Sequence, residues 1–110
     1  MKNTYIFAIN GMNAFLMKEP PRVESDNRLI ITLADAISDP GAQATVNWIR
    51  ECYGPTPTGC KISIIQSQFG ISTSVQEFSN CFCVHANFGD LSFDSLCDQT
   101  IILEVLVRSQ

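Results

Sequence analysis

Between Asp39 and Tyr53 the chain reads D-P-G-A-Q-A-T-V-N-W-I-R-E-C-Y, and Gly54-Pro55 follows at once. Asp39 is placed to accept from the free N–H groups of a helix start, and Pro40 suits the first helical position, which needs no N–H. Ala42, Val46, Ile49 and Tyr53 recur at intervals of four, three and four, so they share one helical face. Gly54 and Pro55 cannot continue the helix. One helix is predicted over about residues 40–53. A lone amphipathic helix among strands must close over a sheet, and that arrangement bounds the fold.

The flanking sequence reads as strands. Tyr5–Ile9 is strand-like, Asn10-Gly11 is a strong hairpin signal, and Met12–Lys18 is the return arm. Pro20-Pro21 ends that arm, and a polar extended stretch runs to Asp26-Asn27. Residues 28–33 (R-L-I-I-T-L) predict a buried strand. A helix over 28–37 is the rival reading, because Arg28, Thr32, Asp35 and Asp39 are polar at helical spacing. The β-branched run Ile30-Ile31-Thr32 favours the strand. Beyond the irregular loop 54–59, strands are predicted at 60–66, 71–78 and 80–88, with a turn at Gln68-Phe-Gly70. A short segment at Leu91–Leu96 precedes a final strand at 100–108. That strand is apolar on both faces and is expected to be covered on both sides. The whole chain, 1–110, reads as a single domain.

Composition narrows the function. Of the 110 residues, 45% are hydrophobic and only 16% are charged, so part of the surface is expected to meet another protein. The net charge is −4. Residues 1–50 balance five basic against five acidic side chains, and residues 51–110 set Lys61 and Arg108 against six acids. An acidic chain without a Lys/Arg cluster is a poor candidate for gripping a phosphate backbone, since that grip rests on displaced counterions. The apolar run Tyr5–Ile9 is too short for a secretory signal or a bilayer span, which predicts a protein made and kept in a cytoplasm without membrane anchoring.

The cluster with a chemical look is Cys81-Phe-Cys-Val-His85. Strand alternation would point Cys81, Cys83 and His85 the same way, as the start of a zinc site completed by Cys52, Cys60 or Cys97. The spacing is not that of paired C-x₂₋₄-C knuckles, and inward packing of small cysteines is the preferred reading. A Cys–His catalytic pair would need His85, the single histidine, and no orienting acid or oxyanion loop accompanies it. Asp90, Asp94 and Asp98 lack the ligand spacing and the glycine of a calcium loop and read as a solvated acidic edge. No phosphate-binding glycine pattern occurs. The reading is therefore of a protein without catalysis, cofactor or metal.

Four pieces, in this order, are similar to the tail-tube proteins of contractile-tailed bacteriophages and related injection machines. Residues 5–16 (Y-I-F-A-I-N-G-M-N-A-F-L) resemble the family's opening hairpin. Residues 30–49 (I-I-T-L-A-D-A-I-S-D-P-G-A-Q-A-T-V-N-W-I) resemble its strand, loop and single helix with a late tryptophan. K-I-S-I-I-Q at 61–66, F-G at 69–70 and S-V-Q-E-F-S-N-C-F at 74–82 resemble the hairpin that follows. Residues 88–108 resemble the closing pair. The chain is shorter than many tube proteins and carries more cysteines than the pattern requires, which leaves a baseplate or tail-tip relative open.

The resemblance implies a small antiparallel β-sandwich or barrel flanked by a single α-helix. Its copies would form homo-oligomeric rings, six to a ring, stacked into an inner tube inside a contractile sheath. The implied partners are the tail sheath protein and baseplate proteins. DNA would pass through the lumen without specific binding, past a wall whose acidity prevents sticking. Assembly would occur in the bacterial host cytoplasm, and the end location would be the virion tail. Cys60 and Cys97, at strand ends, become candidates for disulfides between subunits. The competing class is a small phage-encoded binding or inhibitor module acting as a monomer or dimer.

Overall fold

Asn10-Gly11 takes positive φ at both positions, 49° and 82°, the left-handed pair that a two-residue hairpin requires. It folds β1 (Thr4–Ile9) back on β2 (Met12–Met17), as the sequence predicts. A computed structural model describes residues 3–25, 27–87 and 101–108. After Pro20-Pro21 come β3 (Arg22–Ser25) and β4 (Arg28–Ala36), so the β-branched run prevails over the helical alternative. The helix α1 (Asp39–Cys52) leads to β5 (Cys60–Gln68), β6 (Ile71–Asn87) and β7 (Ile101–Val107). Phe69-Gly70, with φ of 55° and 79°, repeats the tight hairpin between β5 and β6. The segment expected at Leu91–Leu96, together with Asp90, Asp94, Cys97 and Asp98, lies outside the described residues.

Where the sequence suggests separate strands at 71–78 and 80–88, β6 is one strand of 17 residues. It bends at Asn80, whose φ is 53°, where β6 carries one residue more than the facing stretch of β5. Below the bend it pairs with β5, and from Cys81 onward with β7.

The pairings run β1–β2, β2–β4, β4–β7, β7–β6, β6–β5 and β5–β1, all antiparallel, which closes a six-stranded barrel. The short β3 lines the part of β4 that β2 does not reach. Phe7, Ile9, Ile31, Leu33, Ile62, Leu103 and Val105 are fully buried and fill the core. The barrel is therefore packed solid and offers no pore of its own. On β7 the burial is one-sided. Leu103 and Val105 are enclosed, while Ile102 is 40% exposed and Glu104 pairs with Arg28 at 2.8 Å. The expectation of a strand covered on both sides is not met.

The helix packs on β2 and β6, which stand opposite each other in the ring of six strands, so it crosses one end of the barrel. Two details differ from the sequence expectation. Ser38, not Asp39, is the cap: its Oγ accepts from Gly41 N at 3.2 Å and donates to Asn13 O at 2.7 Å, while Asp39 occupies the first turn. The buried face is Gly41, Thr45, Trp48 and Ile49, whereas Val46 and Tyr53 are exposed. Gly41 permits the closest approach to β2, since a Cβ there would meet Asn13 O and lie 2.7 Å from Ala14 Cα. Thr45 is cheap to bury because its hydroxyl donates to Gly41 O at 2.8 Å. Trp48 donates its indole N–H to Cys81 O at 3.1 Å and so ties the helix to β6.

Candidate functional site

Two strand edges face each other without a second neighbouring strand among the described residues. Among the described residues, Ile71–Ser79 of β6 pairs with β5 on one side and with no strand on the other, because β7 begins to pair only at Cys81. The stretch is about 30 Å long at the usual strand rise. Its single charge, Glu77, is engaged with Lys61 at 2.8 Å. The second open edge is β3, which pairs only with β4 among the described residues and is exposed throughout. A cleft of about 400 Å³ lies between the two edges, with Pro21 and Val23 on one wall, Ser74 and Gln76 on the other, and buried Leu29 and Ile64 behind.

This region also carries the three most exposed large apolar side chains among the described residues, Phe69, Ile71 and Val23. Phe69 is 81% exposed at the tip of the β5–β6 hairpin, Ile71 70%, Val75 52% and, across the cleft, Val23 68%. Sparsely charged open edges of this length are templates for pairing with another strand, and proteins normally blunt them with lysines, prolines or bulges. Here no lysine or proline occurs in residues 71–79, and the one irregularity well inside the stretch is a bulge at Thr73, where Ser72 and Ser74 face Ser67 and Gln66.

The cysteines converge elsewhere, near the C-terminal end of α1. Cys60 and Cys81 face each other across β5 and β6. Cys52, at the end of α1, accepts from the amide N–H of Cys83 at 3.3 Å. All four thiols are free. Burial pushes Cys60 up to about 12, with the neighbouring Cys81 adding to the shift, and pushes Cys81 and Cys83 each up to about 11. Cys52 is raised as well, mainly by burial. These are protonated, weakly nucleophilic thiols at neutral pH.

The grouping of Cys81, Cys83 and His85 fails on a local irregularity. Cys83 faces Val105 but His85 faces Glu104, so Val84 and His85 together oppose one residue of β7. That bulge reverses the alternation: Cys81 and Cys83 are buried, Ala86 returns to the core, and His85 is exposed. Among the described residues, no three His, Cys, Asp or Glu side chains are placed to share a metal ion. Cys60, expected at a reachable strand end, is 9% exposed and packs with the core cluster. Cys97 lies outside the described residues.

Beside Cys52 and Cys83 a second, open cleft of about 560 Å³ is walled by Tyr53, Phe82, Leu106 and Arg108. The Arg108 guanidinium stands 5.4 Å above the Phe82 ring. Tyr53, just past the helix, accepts from Ala86 N at 2.8 Å and braces the bulged part of β6.

The open edge on β6 escaped the sequence reading because it depends on how far β7 reaches, which is a property of the partner strand. The signal that was present is the low charge of residues 71–79 after an exposed aromatic turn. Among the described residues no helix is long and apolar enough to cross a membrane. Compared with known proteins, the chain matches no family model, no curated protein sequence and no solved structure.

Proposed function

We propose that this protein is a structural, self-assembling subunit of a phage-type tail tube. Its copies join edge to edge into rings, six to a ring, that stack into the inner conduit of a contractile tail. The observation that carries this reading is the edge of β6 at Ile71–Ser79, with Glu77 as its single charge and no second strand beside it among the described residues, facing the open edge of β3 across an apolar-floored cleft. The barrel gains from covering these edges, and a neighbouring copy supplies strands of the same kind. Because the barrel interior is filled by side chains, a conduit for DNA belongs between subunits. The net charge of −4 favours a wall that does not hold DNA, and the sheath and baseplate proteins are the outer partners of such a tube. The role is mechanical and calls for neither catalysis nor a cofactor.

Electron microscopy of the concentrated, purified chain tests the proposal. Rings or tubes of one diameter are expected, and Ile71→Lys with Val75→Lys should return the protein to single 12.2 kDa subunits that melt as the wild type does. A wild-type protein that stays a monomer or simple dimer at every concentration overturns the proposal in favour of a small binding or inhibitor module.

A further inference from the structure

We propose that Cys52 and Cys83 are a redox pair that closes to an intramolecular disulfide when the protein meets a peroxide, clamping the end of α1 to β6. Three observations single out this pair, and none depends on the assembly reading. Cys52 Sγ already lies 3.3 Å from the backbone nitrogen of Cys83, with the N–H directed at it. Cys52 is the most exposed of the four described thiols, and it lines the open 560 Å³ cleft together with Cys83, which gives a small oxidant a route. Cys60 and Cys81, although they face each other across two strands, do not line that cleft.

The chemistry balances in two steps. Cys52 thiolate attacks hydrogen peroxide, breaking the O–O bond, and gives the sulfenic acid and one water once protons are returned. The Cys83 sulfur then attacks the Cys52 sulfur and expels the hydroxyl as a second water, so two thiols are oxidised by two electrons and one peroxide is reduced. Burial holds both thiols protonated, so closure is slow near neutrality and quickens as pH rises toward their ionisation. The chain thus stays reduced in a reducing cytoplasm and clamps outside it. The bond encloses the loop 52–83, which contains all of β5, and it restrains the unfolded chain.

The reduced protein is treated with hydrogen peroxide at about pH 8.5, free thiols are alkylated under denaturing conditions, and chymotryptic peptides are weighed. Cleavage after Trp48, Tyr53, Phe78, Phe82 and Phe88 separates all four described cysteines onto different peptides. A linked pair of peptides 49–53 and 83–88, lighter by two hydrogens, is expected, with a melting temperature raised by several degrees and restored by dithiothreitol. Cys52→Ser should abolish both changes, and Cys83→Ser is the second variant if the first does not fold. Recovery of Cys52 and Cys83 as alkylated thiols overturns the proposal. So does a bridge from either of them to another cysteine, a Cys60–Cys81 bridge in their place, or a link between two chains.

Discussion

Gly41 lies where α1 meets β2, and a Cβ built there falls 2.7 Å from Ala14 Cα. Gly41→Ala should therefore destabilise by about 1–3 kcal/mol, because backbone on both sides must move. Gly11 has open space around it but a φ of +82°, so Gly11→Ala carries only the left-handed backbone cost, about 1–2 kcal/mol. Urea midpoints of the two variants measure both effects. Asparagine tells them apart: Gly11→Asn should recover part of the loss, and Gly41→Asn should worsen it. The buried thiols make a separate prediction. Cys60, Cys81 and Cys83 ionise near 12, 11 and 11 in the fold against 9.0 for an ordinary thiol. Above that ordinary value the unfolded chain releases these protons first, so it binds fewer protons than the native state and stability falls as pH rises. Below about pH 9 these groups contribute no slope, and from there to about 12 each retained proton costs up to ~1.4 kcal/mol per pH unit. Denaturant midpoints from pH 7 upward should be flat and then drop, and Cys60→Ala should make the drop shallower. A midpoint unchanged through pH 10.5 would contradict the assigned burial.

At the scale of elements, the start of α1 is held by one hydroxyl that serves both the helix and β2. Ser38→Ala removes the cap and the bond to Asn13 O together. A loss near the upper end of the usual cap range, about 2 kcal/mol, is expected in equilibrium unfolding, and Ser38→Asp should restore the capping part alone. Elements were legible where local chemistry decides them. Asn10-Gly11 dictates its hairpin, Ile30-Ile31-Thr32 decides β4, and Gly54-Pro55 stops the helix. The helix face was not legible, because its contact is made by a glycine chosen for smallness and a threonine whose hydroxyl is satisfied inside the helix, neither of which an apolar period detects. His85 was misplaced by a bulge that depends on the register of β6 against β7. The thiol cluster joins residues from α1, β5 and β6, and no spacing within the chain announces that meeting.

For the whole molecule, the decisive feature is a barrel that closes around a solid core yet leaves Ile71–Ser79 and β3 unpaired among the described residues. The forces available there are backbone hydrogen bonds and the burial of Phe69, Ile71, Val75 and Val23, with little charge. Arg22 and Glu24 on β3 offset each other, and Glu77 is already engaged with Lys61. Association through these surfaces should therefore respond to solutes as apolar burial does. Sodium chloride at 0.5 M screens exposed charges within roughly a 4–5 Å distance and should leave the assembled fraction nearly unchanged, whereas ammonium sulfate should raise it and cooling toward 4 °C should lower it. Sedimentation velocity across these conditions reads the assembled fraction directly. An assembly that dissolves in sodium chloride would place its contacts on charged surface away from β3 and β6. Ile71→Lys with Val75→Lys provides the matched control: both side chains are exposed, so the fold should keep its melting temperature within about 2 °C while the sulfate response disappears.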